Sequence, residues 1–318
     1  MIIALVVLAT IAAFCFGVGC YTFFAACARK KEIDWLDEVA IKKTAYGQFY
    51  DHVKAGDKWL NDHGAQDIYM RSHDGLKLHA KWVPAENARG TIILVHGYHS
   101  CVLTDFGLAF EIYHKQGLNL LLPSHRAHGK SEGKYTTFGV MESRDIQLWI
   151  SYHNEHFGSI PVICSGLSMG AATVKYLAGM PLPENVKGLI ADCGFTSPKE
   201  IIASVFRSVV HIPAWPFMWA ASLSARFFAG FWLGEKHSTE TLTRNNRPIL
   251  FIHGTADDFV PCEMTRRSFA ACNGDKELLL VEGATHGVSF LRARAEYVAL
   301  VDSLLDKCLG KYEKGNEI

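Results

Sequence analysis

The stretch Pro161-Val162-Ile163-Cys164-Ser165-Gly166-Leu167-Ser168-Met169-Gly170-Ala171-Ala172-Thr173-Val174-Lys175-Tyr176-Leu177-Ala178 decides the fold. Its apolar start, Val162 to Cys164, predicts a strand, and Ala171 to Tyr176 predicts a helix. Between them Gly166-Leu167-Ser168-Met169-Gly170 predicts an abrupt turn with Ser168 at its apex. A turn this tight needs glycine on both sides, because a Cβ there would strike the neighbouring strand or helix while the serine holds a strained backbone. The hydroxyl is thereby presented at the end of a sheet. In a chain of 318 residues with 27 glycines the bare G-x-S-x-G pattern is weak. Its setting between a β-branched run and an alanine-rich helical run makes it informative.

The surrounding chain suits one large α/β domain with an extension, since 49% of its residues are hydrophobic. Lys+Arg and Asp+Glu both total 32, so no basic field exists to recruit nucleic acid. The 9 cysteines form neither a CxxC pair nor a Cys/His ladder, which argues against a disulfide framework and a zinc site and makes them small apolar fillers.

Ile2 to Ala28 carries no charge and is long enough as a helix to cross a hydrocarbon core of about 30 Å. Met1-Ile2-Ile3-Ala4 lacks the basic start of a cleaved signal, which favours a retained anchor, although Ala26-Cys27-Ala28 imitates a cleavage site. Arg29-Lys30-Lys31 follows the apolar run, so the positive-inside rule puts the body of the protein in the cytoplasm, with an extracytoplasmic body as the alternative. Glu32 to Gly64 has helical spacing, with Ile33, Leu36, Val39 and Ala40 on one face, and predicts linking helices. Trp35, Tyr46, Phe49, Tyr50 and Trp59 are candidates for a substrate entrance, with packing against the domain as the favoured role.

Asp67 to Met70 and Leu76 to Trp82 predict two strands joined at His73-Asp74-Gly75. Thr91 to Val95 has the continuous apolar pattern of a strand buried on both faces. His96-Gly97-Tyr98 follows it, and a glycine there lets backbone amides face the space above the sheet, so the Tyr98 amide is a candidate oxyanion donor. A helix from Asp105 to Gln116 and a strand from Leu118 to Leu122 continue the strand-helix alternation of a doubly wound sheet. The loop from Pro123 to Gly133 contains His125 and His128 but no further ligand at metal-binding spacing. Gly139 to Phe157 predicts a helix and Val186 to Ala191 a strand ending in Asp192. Pro198 to Asn246 is too long for a simple connection and rich in aromatics, which predicts a helical cap over the active site, more than half of its aromatics forming the cap's own core, with an acyl-chain pocket or contact with lipid as the roles for the rest. Pro248 to Ile252 and Lys276 to Glu282 are the last two strands, and a helix from about Ser289 to Leu309 closes the chain. A carboxylate in the loop after Ile252, Asp257 or Asp258, could reach a histidine in a neighbouring loop, and His286 stands after the final strand.

Five motifs, in this order, resemble those of the α/β-hydrolase superfamily, and within it the membrane-anchored or soluble bacterial hydrolases of the serine aminopeptidase-like and esterase-like group. They are His96-Gly97-Tyr98, Arg126-Ala127-His128-Gly129-Lys130-Ser131, Gly166 to Gly170, His253-Gly254-Thr255-Ala256-Asp257 with Val260-Pro261, and Gly283-Ala284-Thr285-His286. The resemblance spans about Asp67 to Cys308 and departs at Ser124, where an aspartate is common. It implies an α/β-hydrolase fold: a mostly parallel doubly wound sheet with an N-terminal β-hairpin and a helical cap inserted before the seventh strand. The expected division is an anchor over 1–28, a helical linker over 29–66 and a catalytic domain over 67–318, with its cap at about 198–246. The spacing to Val260-Pro261 favours Asp257 over Asp258 by resemblance, and Asp192 stands where some similar lipases keep their acid. The order Ser168, Asp257, His286 is the one expected for this fold.

These residues predict a serine hydrolase. His286 would take the proton of Ser168, Asp257 would orient the imidazole, and the amides of Met169 and Tyr98 would hold the oxyanion. No metal or organic cofactor is required. The expected substrate is a carboxylic ester of a fairly apolar acyl group, a small molecule or a lipid-like one. An amidase or aminopeptidase using the same triad is the first rival, although the cap offers an amine only Glu200, Glu235 and Glu240. A non-catalytic, membrane-tethered binding protein on a hydrolase fold is the second.

Overall fold

β-Branched and leucine-rich runs form the strands β1 (Gln66–Arg71), β2 (Lys77–Val83), β3 (Gly90–Val95), β4 (Leu118–Pro123), β5 (Val162–Leu167), β6 (Val186–Asp192), β7 (Ile249–Gly254) and β8 (Lys276–Val281). In this computed structural model, which describes residues 1–44 and 47–312, they make one sheet in the order β1-β2-β4-β3-β5-β6-β7-β8. The β1–β2 hairpin is antiparallel, β2 runs antiparallel to β4, and every later pairing is parallel. Successive side chains of a strand point to opposite faces, so continuous apolar runs feed two cores. Ile93, Val95 and Leu121 pack on one side with Trp149 and Val174, while Ile92, Leu94 and Leu120 pack on the other with Phe110 and Val301.

The helices supplying those faces are α3 (Tyr50–Asp62), α4 (Val102–Phe106), α5 (Phe110–Lys115), α6 (Val140–Phe157), α7 (Met169–Leu177), α11 (Cys262–Ala271), α12 (Ser289–Arg292) and α13 (Arg294–Leu309). The cap between β6 and β7 consists of α8 (Pro198–Val210), α9 (Trp215–Ala229) and α10 (Ser238–Thr241). Ahead of the domain lie α1 (Ile2–Cys27), the one helix among the described residues long and apolar enough to cross a membrane, and the short α2 (Glu38–Lys42).

Four local expectations change. The linking segment is not helical from Glu32 to Asp37; Asp37 caps α2 by accepting the Val39 and Ala40 amides, and Leu36 and Val39 are exposed while Ile41 is buried. The helix expected over Asp105 to Gln116 begins earlier and breaks after Phe106, because α3 crosses it there: a Cβ on Gly56 would stand 2.8 Å from the Gly107 Cα. The last helix divides at Ala293, whose φ of −128° is not helical. The cap's aromatic core is not its own, since Phe23 and Cys27 of α1 share one buried cluster with Phe206, Phe217 and Met218. Of the suggested entrance aromatics, Phe49 lines the cavity beside Ser168, Trp59 packs on Phe110, and Tyr46 lies outside the described residues. The described cysteines are free, and Cys164, Cys193 and Cys272 are buried as apolar fillers.

A lysine without an acidic partner sits inside this packing. Lys175 of α7 is fully buried, and its Nζ donates to the Gly194 carbonyl at 2.7 Å and to Ser268 Oγ at 3.2 Å, joining α7 to the base of the cap and α11. Burial without an acidic partner pulls its pKa down to about 7. The unfolded chain keeps this proton to about pH 10, so folding must expel it across the interval down to pH 7, and the penalty grows as pH falls. The unfolding temperature should therefore rise between pH 7 and pH 9, and Lys175→Met should flatten that rise in a thermal unfolding series on detergent-solubilised protein.

Candidate active site

Ser168 stands between β5 and α7 with φ +56° and ψ −112°, a conformation a non-glycine residue adopts only when its surroundings enforce it. Those surroundings are backbone. A Cβ on Gly170 would stand 1.8 Å from the Val95 carbonyl oxygen, and one on Gly166 would stand 2.2 Å from the Gly170 oxygen. The Ser168 amide donates to the Asp192 carbonyl at 2.8 Å, which ties the turn to the end of β6.

The loops at the same end of the sheet bring two distant residues to this serine. His286 Nε2 lies 2.9 Å from Ser168 Oγ, and His286 Nδ1 lies 2.7 Å from Asp257 Oδ2. Asp257 Oδ1 accepts the Phe259 and Val260 amides at 3.0 and 2.8 Å. Burial alone would raise the Asp257 carboxyl, but hydrogen bonding to His253 and His286 holds it below the ordinary carboxylate range. It is therefore an anion at neutral pH, which keeps the His286 Nδ1 proton in place and leaves Nε2 to accept from the serine hydroxyl. Asp258 is exposed. Asp192 is buried, its carboxyl is pushed up to about 6 chiefly by that burial, and both His286 nitrogens are engaged elsewhere.

Tyr98 and Met169 flank Ser168. Met169 is the first residue of α7, where an amide has no carbonyl partner within its own helix. Tyr98 lies one residue past Gly97, whose amide donates to Asp105 Oδ2 at 2.6 Å; Asp105 Oδ1 takes the Ser100 hydroxyl at 2.5 Å. Asp105 thus pins the loop after β3, and burial pushes its carboxyl up to about 6 against those two bonds. The sequence reading assigned no role to Asp105 or to His253. His253 Nε2 faces the Val260 carbonyl at 2.9 Å and Asp257 Oδ2 at 3.1 Å, bracing the loop that carries Asp257. The signal available was its place four residues before Asp257.

The histidines of the loop after β4 act as loop fasteners. His96 Nε2 accepts the His125 amide at 3.0 Å, His125 Nε2 donates to the His96 carbonyl at 2.9 Å, and His128 Nε2 accepts the His99 amide at 3.1 Å. Burial pushes all three rings toward the neutral form these roles need. Ser124, at the departure from the family pattern, faces His79 Nδ1 at 3.2 Å, and its carbonyl accepts from the Ser131 hydroxyl. Arg126 makes paired bonds to Asp145, both 2.7 Å, and to Asp74 at 2.9 and 3.2 Å. Among the described residues, Cys193, Asp257 and His286 come close enough together to ligate a metal. Burial raises the Cys193 thiol, and Asp257 and His286 already satisfy one another, so the donor set is poorly suited to an ion.

Two cavities meet at Ser168. One of about 310 Å³ is of mixed character, with Ser100, Asp105 and His286 beside Phe49, Leu167 and Phe259 in its wall; the other, about 470 Å³, is almost wholly apolar and runs beneath the cap past Phe138, Phe195 and Ile202. A sheet of this order, with a serine held at positive φ between β5 and α7, defines the α/β-hydrolases, enzymes of the hydrolase class. Within that class the chain belongs to the family described as serine aminopeptidase, S33, whose pattern matches residues 86–246.

Among its relatives is the uncharacterized protein YqkD of Bacillus subtilis, 30% identical over 227 residues that cover 70% of this chain and 73% of YqkD. The esterase Pf2001 of Pyrococcus furiosus has a similar fold, with TM-score 0.64 and 22% identity over 79% of this chain and 96% of that one. So does Est1E of Butyrivibrio proteoclasticus, solved with ferulic acid bound, with TM-score 0.59 and 18% identity over 77% and 100% of the two chains.

The buried Arg126–Asp145 pair holds the loop after β4 against α6, and removing one partner leaves a charge stranded. Arg126→Met should lower stability by about 3–5 kcal/mol, read as a shifted urea midpoint, and Asp145→Leu in the same chain should recover part of the loss.

Proposed function

We propose that the protein is a serine hydrolase that cleaves carboxylic esters of apolar acyl groups through Ser168, His286 and Asp257. The observation that carries this is the continuous hydrogen-bonded chain from Ser168 Oγ through His286 to Asp257, standing where an almost wholly apolar cavity meets a smaller one that contains Ser100 and Asp105. Serine is a weak nucleophile at its own pKa, so His286 takes its proton as Oγ attacks the ester carbonyl and returns it to the departing alkoxide. Asp257 stabilises the imidazolium formed in between. The amides of Met169 and Tyr98 meet the oxyanion, a donor pair in which each member is worth about 10² to 10³ in rate at comparable sites. Water, activated by His286, then releases the acyl group. The acyl chain occupies the larger, apolar cavity and the leaving group the smaller, mixed one.

Peptide-amine recognition is less well supported. Glu200 is engaged by Arg267 and Thr196, and Glu235 pairs with Arg144, so these cap carboxylates are committed outside the two cavities. Asp105, the carboxylate lining the smaller cavity, has both oxygens bonded to the loop after β3. We further propose that α1 is a membrane anchor and that Arg29-Lys30-Lys31 keeps the catalytic domain on the cytoplasmic side.

Ser168→Ala should abolish labelling by a fluorophosphonate probe and hydrolysis of p-nitrophenyl butyrate while leaving the unfolding temperature near that of the wild type; undiminished labelling would overturn the assignment. Asp257→Asn should lower kcat by several orders of magnitude and Asp192→Asn by far less, as steady-state kinetics will register. The reverse ranking would move the acid to the end of β6.

A further inference from the structure

The apolar cavity under the cap has a wall the catalytic domain does not supply. Phe14, Val18, Tyr21 and Ala25 of α1 line it on one side, facing Ile201 and Val205 of α8. Its inner end is Ser168; at its outer end Phe14, Tyr21 and Val209 are 65%, 74% and 72% exposed. From Ala26 to Phe14 is about 18 Å along a helix axis, room for a chain far longer than a butyryl group.

The C-terminal half of α1 is built into the fold. A Cβ on Gly19 would lie 2.5 Å from the Ala220 Cβ and from the Phe217 carbonyl oxygen, so α1 and α9 touch backbone to backbone, as small residues permit. The Tyr98 hydroxyl donates to the Ala26 carbonyl at 2.5 Å, and the Arg29 guanidinium donates to the Ser131 and Gly129 carbonyls at 2.8 and 2.7 Å. Cutting the chain at Ala28 would remove one side of the site.

The N-terminal half of α1, up to Phe14, is exposed throughout. That free length is about 20 Å, short of the roughly 30 Å of bilayer hydrocarbon. The missing depth must be met by the packed half together with the cap surface beside it. That surface is apolar where it needs to be, exposing Val210, Trp215, Trp219, Leu223, Phe227 and Phe228, with tryptophans suited to the interface.

We propose that α1 is a permanent wall of the acyl site, and that the site takes one chain of a long-chain acyl ester resident in the membrane, admitted sideways from the bilayer between α1 and α8. This deepens the ester-hydrolase assignment and rests on it. A chain that passes from bilayer into this channel exchanges one hydrocarbon surrounding for another. Drawing it out through water would cost a factor of about 4 in equilibrium for each methylene. The ester carbonyl then reaches Ser168 at the junction of the cavities, and its polar end projects past Ser100 and Asp105.

The test uses full-length protein in phosphatidylcholine vesicles, with 4-methylumbelliferyl oleate dissolved in the bilayer and p-nitrophenyl butyrate supplied from water. Ala25→Trp in α1 and Val205→Trp in α8 fill the channel from opposite walls, and each should lower the oleate-to-butyrate ratio of kcat/KM at least tenfold. Fluorophosphonate labelling verifies that each variant is folded. A second measurement needs no variant: a hexadecyl fluorophosphonate with a terminal diazirine, attached at Ser168 of the wild type, should crosslink to peptides of α1 or α8. Unchanged ratios in folded variants, crosslinks confined to the cavity that contains Phe49, or full oleate activity in a mature protein lacking residues 1–28 would each overturn the proposal. A wild type that accepts neither the probe nor butyrate would instead overturn the ester-hydrolase assignment.

Discussion

The structure depends on a close approach of backbone to backbone at the carboxyl end of the sheet. Gly170 lies against the end of β3, and Gly166 lies against Gly170, so the chain between β5 and α7 can turn only if Ser168 accepts a left-handed φ. The strain is held by rigid neighbours rather than by a single bond: β5 lies centrally between β3 and β6, and α7 is buried along its length. Because parallel strands all end on the same side, the loops after β3, β7 and β8 converge on that serine. The proposed chemistry occupies that convergence.

Around the turn, the protein spends its buried polar groups on holding loops. Asp105 fastens the loop after β3, His253 the loop after β7, and the His96–His125–His128 group with Arg126 the loop after β4. Each of these side chains is paired, and all but the half-buried Asp105 are buried, which is the condition under which polar groups can stay in a core. The result is a preorganised surface in which Asp257, His286 and Ser168 need no rearrangement to form one hydrogen-bonded line.

The joint between α1 and the cap gives the site its second character. A helix composed only to cross a bilayer has no reason to carry a glycine pressed against Ala220 or a carbonyl bonded to Tyr98. Those contacts put the apolar helix α1 and the apolar cavity in one cluster, and they set the proposed chemistry beside the helix proposed as the membrane anchor.

The sheet, the turn at Ser168, the cap's position and the candidate residues Ser168, Asp257 and His286 were legible because each depends on local pattern: continuous β-branched runs, paired glycines, and loops placed just past strands. By itself the sequence determined the fold class and the order in which the candidate residues Ser168, Asp257 and His286 follow their strands. It could not determine the helix break at Gly107, the bracing by His253 and Asp105, or the service of α1 as a cavity wall. These arise where segments far apart in the chain meet: Gly56 against Gly107, Gly97 under Asp105, Gly19 against Ala220. Hydrophobic periodicity states only that a helix has an apolar face, and the shape of its partner, known only once the chain is folded, decides whether that face meets lipid, a neighbouring helix or a substrate.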